Sequence, residues 1–151
     1  MIRVKKVLYP TDFSSYSTQA YFHAVGLAES HGASLTVVYV YRPGSAEAAG
    51  GDRPFWRDQL EQVRPADQSI PVHHVFLEGD PAGEIVRYAA DAGIDVIVMG
   101  THGRTGVDRL LLGSVAEKVM RDAPCSVLVV KLPKGIPVAE TGRVEVELTP
   151  A

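Results

Sequence analysis

The chain has 151 residues, 46% hydrophobic and 22% charged, as in an ordinary globular domain with a two- or three-layer core. A net charge of −3 gives no general attraction to nucleic acid or anionic lipid, and no stretch approaches the roughly 20 apolar residues of a membrane span, so both partners are disfavoured. The basic start MIRVKKVLYP has too short an apolar run for a signal peptide, and the single Cys125 has no intramolecular disulfide partner, so a cytoplasmic setting is expected.

Val4–Tyr9 is a β-branched run that stops at Pro10 and reads as the first strand. Thr11, Asp12 and Ser14 offer three caps for a helix whose buried face is expected to carry Ala20, Ala24, Leu27, Ala28 and His31, ending at Gly32. Leu35–Val40 is almost continuously apolar, as a strand covered on both faces should be. Residues 42–53 look least ordered, and Phe55, Trp56, Leu60 and Val63 mark one face of a short helix over 54–64.

Val72–Leu77 is a third strand, on which His73 and His74 point to opposite faces and cannot share one ion, so no protein-built metal site is expected. Asp80 and Pro81 start a helix with a stripe of Ile85, Val86, Ala89, Ala90 and Ala92, ended by Gly93. Ile94–Met99 is the fourth strand; Val115, Val119 and Met120 mark the inner face of the last helix, and Ser126–Val130 is the fifth strand. Cys125 reads as a small core residue rather than a reactive thiol. In the tail, Val144, Val146 and Leu148 alternate with charges, which suits either an extra strand over 143–148 or a frayed end.

The fourth strand runs into GTHGRTGVDRLLLGS, Gly100 to Ser114, which leads into the last helix. Glycines admit a ligand to the backbone, and a helix N-terminus favours an anion, so this is a candidate phosphate cradle. The loop lacks the Lys of a P-loop, and its glycines at 100, 103, 106 and 113 do not make G-x-G-x-x-G. An ordinary glycine-rich turn with Ser114 as N-cap is the plainer alternative.

The spacing G-x2-G-x9-G-S, preceded by VIVMG, resembles the nucleotide-binding universal stress proteins of the UspA superfamily. VLYPTDFS at 7–14, EGDPAGEIV at 78–86 and the final strand extend the resemblance over 4–131, except the connection at 42–70. It implies a Rossmann-like, adenine nucleotide alpha hydrolase-like α/β fold: three layers, an open, doubly wound five-stranded parallel sheet of order 3-2-1-4-5, and helices on both faces. The domain is then 1–131, with a tail at 132–151.

That order sets the first and fourth strands side by side, and ligands bind where the order reverses. The resemblance implies ATP there, with Pro10, Thr11 and Asp12 on one side and Met99, Gly100, His102, Gly103 and Arg104 on the other. Asp12 would meet the ribose and Val40 the adenine, while Gly113, Ser114 and Val115 would hold phosphates. Asp12 as a mere helix cap, and His102 as a loop-stabilising side chain, stay open beside these roles. Mg2+ would arrive with the nucleotide, bound mostly by phosphate and water.

The function implied is an ATP-binding regulatory stress protein, a homodimer paired through Ser126–Val130, acting on an unknown protein partner without strong catalysis; the tail could either cover that edge or reach across to the second subunit. A slow ATPase or nucleotidyl transferase is a second possibility, against which stand the missing P-loop Lys and the lack of an evident general base. An ATP-independent interaction module is a third.

Overall fold

The computed structural model describes residues 3–46, 48–101 and 112–131. Within them strands and α-helices alternate: β1 (Lys6–Pro10), α1 (Ser15–His31), β2 (Ser34–Tyr41), α2 (Arg53–Glu61), β3 (Val72–Glu78), α3 (Pro81–Ala92), β4 (Val96–Gly100), α4 (Ser114–Asp122) and β5 (Ser126–Val130). The strands lie in the order β3-β2-β1-β4-β5, each neighbouring pair parallel, as expected. The tail from 132 onward, with its alternating stretch, lies outside the described residues.

Successive side chains on a strand point to opposite faces, and here both faces are covered. Val7, Tyr9, Val37, Tyr39 and Val98 pack against Ala20, Ala24 and Ala28 of α1 and Trp56 and Leu60 of α2. Leu8, Val38, Val40, Ile97 and Met99 pack against Ala82, Ile85 and Ala89 of α3 and Ala116 and Val119 of α4. Each large aliphatic side chain enclosed this way contributes about 1.5–3 kcal/mol. The central strands therefore hold the fold together, and the alanines of α1 let that helix lie close to them.

Helix ends follow the sequence signals. Ser14 Oγ accepts from the Ser17 amide at 3.3 Å, Asp52 Oδ1 from Phe55 at 2.9 Å, and Asp80 Oδ2 from Gly83 at 3.0 Å. Gly32 and Gly93 close α1 and α3 with φ of 63° and 67°, left-handed values that favour glycine. The Gly83 amide, and after it the Lys118 ammonium, hold the Asp80 carboxyl below the usual carboxylate range.

Asp80→Ala should cost about 1 kcal/mol of stability, the usual worth of such a cap. The carboxylate's contribution is fully present above the unfolded pKa of about 3.9 and is lost as pH falls through the lower folded value. Urea titrations of wild type and variant should therefore differ at neutral pH and converge in that acid window.

Several sequence expectations are corrected. His31 is exposed: it is the last residue of α1, just before the chain turns at Gly32 into β2. Ala90 is exposed while Ala82 is buried, and Met120 is half exposed while Ala116 is buried; both misplaced residues sit outside the 3.6-residue stripe that the other buried positions define. β1 includes Pro10. α2 ends at Glu61, leaving Val63 beyond it, and Phe55 is on its exposed side. The stretch 42–53 contains a short turn of helix, Ala48–Gly50, set by Ser45, whose Oγ donates to Arg42 O and accepts from the Ala48 amide.

Candidate functional site

The crevice at the carboxyl ends of β1 and β4 begins with a proline. The Thr11 amide donates to Val38 O at 2.9 Å, so the nitrogen of the preceding residue, Pro10, faces the other neighbour, β4. Proline has no N–H to give there. The β1–β2 ladder runs on to Pro10–Val38, whereas β1 pairs with β4 only at Val7–Val96 and Leu8–Ile97. The central strands part at the point where strand order reverses, which is where ligands of open α/β sheets bind.

On the β1 side, Asp12 is half-buried, and its Oδ1 accepts from the Ser14 amide at 2.9 Å. Ser14, not Asp12, is the N-cap of α1. Thr11 is buried with its hydroxyl turned into the α1 layer: Thr11 Oγ1 accepts from the Phe13 amide and from Ser17 Oγ, and Tyr9 donates to Ser17 O. Burial pushes the Tyr9 hydroxyl up to about 12, so it remains a protonated donor. Val40 lies near the end of β2, past the last residue of that strand paired with β1, in the α3 and α4 layer with Met99.

On the β4 side, Gly100 is enclosed. A Cβ built on it would lie 2.5 Å from the Tyr16 carbonyl oxygen, so this glycine lets the first turn of α1 sit on the end of β4. Thr101 then pins the loop at both ends. Its amide donates to Val130 O at 3.1 Å and its carbonyl accepts from the Gly113 amide at 2.6 Å. The start of α4 is thereby fixed beside the end of β4, a juxtaposition that sequence reasoning misses although Thr101 directly follows the strand.

Gly113 is the N-cap of α4 and Ser114 its first helical residue, which corrects the alternative of Ser114 as cap. The other helices receive side-chain caps from Ser14, Asp52 and Asp80. Gly113 has no side chain to offer, and among the described residues α4 is the one helix without such a bond. Its first-turn N–H groups, with Ser114 exposed and Val115 half-buried, form an electropositive end suited to an anion. Lys118 joins the first turns of α4 and α3 through Asp80 at 3.2 Å. His102, Gly103 and Arg104 lie outside the described residues.

Among the described residues no His, Cys, Asp and Glu side chains gather into a metal-binding group. His73 is exposed, and His74 is bonded through Nε2 to Val63 O at 2.8 Å. Cys125 is partly buried, and burial pushes its thiol above the ordinary range, the opposite of an activated nucleophile. No helix among the described residues is long and apolar enough to cross a membrane.

Comparison with known proteins agrees with this architecture. The family model described as the universal stress protein family matches residues 3–131. A universal stress protein of Methanocaldococcus jannaschii is 39% identical over 142 residues, covering 86% of this chain and 84% of the relative. Among solved structures, the universal stress protein UspA from Lactobacillus plantarum superposes with a TM-score of 0.72 at 29% identity, over 87% of this chain and all of that one. A universal stress protein in complex with cAMP shares the fold, with a TM-score of 0.67 at 24% identity over 85% of this chain and 98% of that chain. The match reaches from before β1 to the end of β5, and by it this chain belongs to the universal stress protein family.

Proposed function

We propose that the crevice between β1 and β4 binds an adenine nucleotide, ATP, as a regulatory ligand, which would place the chain in the ATP-binding subgroup of its family. The observation that carries this reading is the start of α4, uncapped at Gly113 and held by Thr101 beside the parted strands. An exposed helix N-terminus needs an acceptor, and phosphate oxygens supply one. The cAMP held by a protein of the same fold is of the same chemical class.

In this reading the amides of Ser114 and Val115 meet the phosphates; the expected contact from the Gly113 amide is corrected, because that N–H is held by the Thr101 carbonyl at 2.6 Å. Gly103, His102 and Arg104 supply backbone approach and positive charge. Asp12 accepts from ribose hydroxyls, a charge-assisted bond. Val40, Met99 and Pro10 give the base an apolar wall, while Thr11 and Gly100 hold the crevice edges in place. Mg2+ would be carried on the phosphates. We assign the tail 132–151 to a separate segment after the 1–131 domain, and a cytoplasmic homodimer paired through β5. Among the described residues that strand is an edge of the sheet, and Leu128 on it is 39% exposed; pairing with a second copy would cover it.

The test is the nucleotide content of the purified protein, released by denaturation and identified by mass, beside Asp12→Ala. Stoichiometric ATP in wild type that is lost from the variant is the expected result. A wild type that is empty and takes up no added ATP would sink the assignment and leave an interaction module. Turnover of bound ATP far above that of the variant would make the protein an enzyme.

A further inference from the structure

A groove of about 280 Å³ lies between α1 and the end of α2. It is on the face of the sheet opposite α3 and α4; Thr11 borders both it and the nucleotide crevice, so the two are neighbours, but the groove does not depend on that assignment. Its aromatic lining is Phe13 and Tyr21, both half-buried, with the buried Tyr9 behind them. Phe13 stacks on Trp56, with ring centroids 5.5 Å apart and planes 14° apart, and Tyr21 leans on Tyr9 at 5.6 Å. Phe13 holds this place through an unusual backbone: its φ of 64° is left-handed in a bulky residue, and such outliers gather at binding sites and switches.

The polar part of the lining is neutral. Gln59 and Gln62 bring two carboxamides, and Thr18 brings a hydroxyl that donates to Ser14 O at 3.1 Å and keeps its own lone pairs. Among the described residues, no side chain lining the groove carries a charge. A charged ligand would lose hydration there without a partner, whereas a flat neutral ring would gain ring contacts, and an amide edge could pair with a glutamine amide. We propose that this groove is a second binding site, for a flat, uncharged aromatic molecule bearing an amide or equivalent donor–acceptor edge.

Nicotinamide and its charged counterpart nicotinate make a matched pair of probes, titrated into the full chain and followed by amide proton–nitrogen spectra. Nicotinamide should saturably shift the Phe13 and Thr18 amides and the side-chain NH2 signals of Gln59 and Gln62. Nicotinate should bind roughly tenfold more weakly or worse. Thr18→Trp, a half-exposed helix position made to fill the groove, should remove the nicotinamide response. Gln62→Glu, at an exposed position, should weaken it and serves if the tryptophan variant misfolds. The proposal is overturned by the absence of saturable shifts in the millimolar range, by shifts centred on Gly113–Ala116, by equal affinity for nicotinate, or by a response that survives in both folded variants.

Discussion

Gly100→Ala should destabilise the fold by about 3 kcal/mol, at the upper end of what overpacking by one methyl costs. The added Cβ would meet the Tyr16 carbonyl oxygen at 2.5 Å and its carbon at 2.7 Å. These are backbone atoms in the first turn of α1, so no rotamer relieves the contact, and α1 must lift from β4. An alanine in place of glycine otherwise gains about 0.5–1 kcal/mol in a regular element. Gly26 provides that control, since it is an exposed position inside α1 with nothing within 4 Å of the place an added methyl would take. Urea midpoints should move in opposite directions, down for Gly100→Ala and up for Gly26→Ala. An unchanged midpoint for Gly100→Ala would mean that α1 is not seated on β4 as described.

The alternation of β-branched runs with capped helices makes the fold readable in the sequence. Asp80–Pro81, Gly32 and Gly93 each mark a boundary by local chemistry, and the helices start and end there. Individual buried positions are harder to read. Met120 and Ala90 are apolar residues just off the stripe, and which residue of a short helix faces inward depends on how the helix rolls against its sheet, a tertiary choice that composition does not encode. Strand order follows from family resemblance rather than from any residue.

For the site, Pro10 and Gly113 are both visible in the sequence, but their reasons are not. That Pro10 ends the β1–β4 ladder needs the register, and that α4 alone lacks a side-chain cap among the described helices needs all four N-termini compared. Gly100 illustrates the converse. In the sequence it suggests a means of ligand approach, whereas in the fold its missing side chain makes room for a helix. The difference comes only from the neighbour that fills the space.

Gly113→Asp should separate stability from binding, because the two effects have opposite sign. At φ −64° and ψ 153° this N-cap position has an ordinary extended backbone that aspartate adopts without strain. Its carboxylate would accept a first-turn amide of α4 and oppose the helix dipole favourably, worth a few tenths of a kcal/mol over glycine. The same carboxylate would occupy the amides assigned to phosphate and place negative charge against it. Losing two hydrogen bonds to a charged group, at about 1.5–3 kcal/mol each, predicts ATP binding weakened roughly a hundredfold or more. Thermal melts without nucleotide should show the variant equal to or slightly above wild type, while added ATP should raise only the wild-type midpoint, since a ligand that binds the folded state stabilises it. A variant that melts low would point to damage at the Thr101–Gly113 contact instead. A variant that melts normally and still binds ATP as wild type does would remove the phosphates from the start of α4.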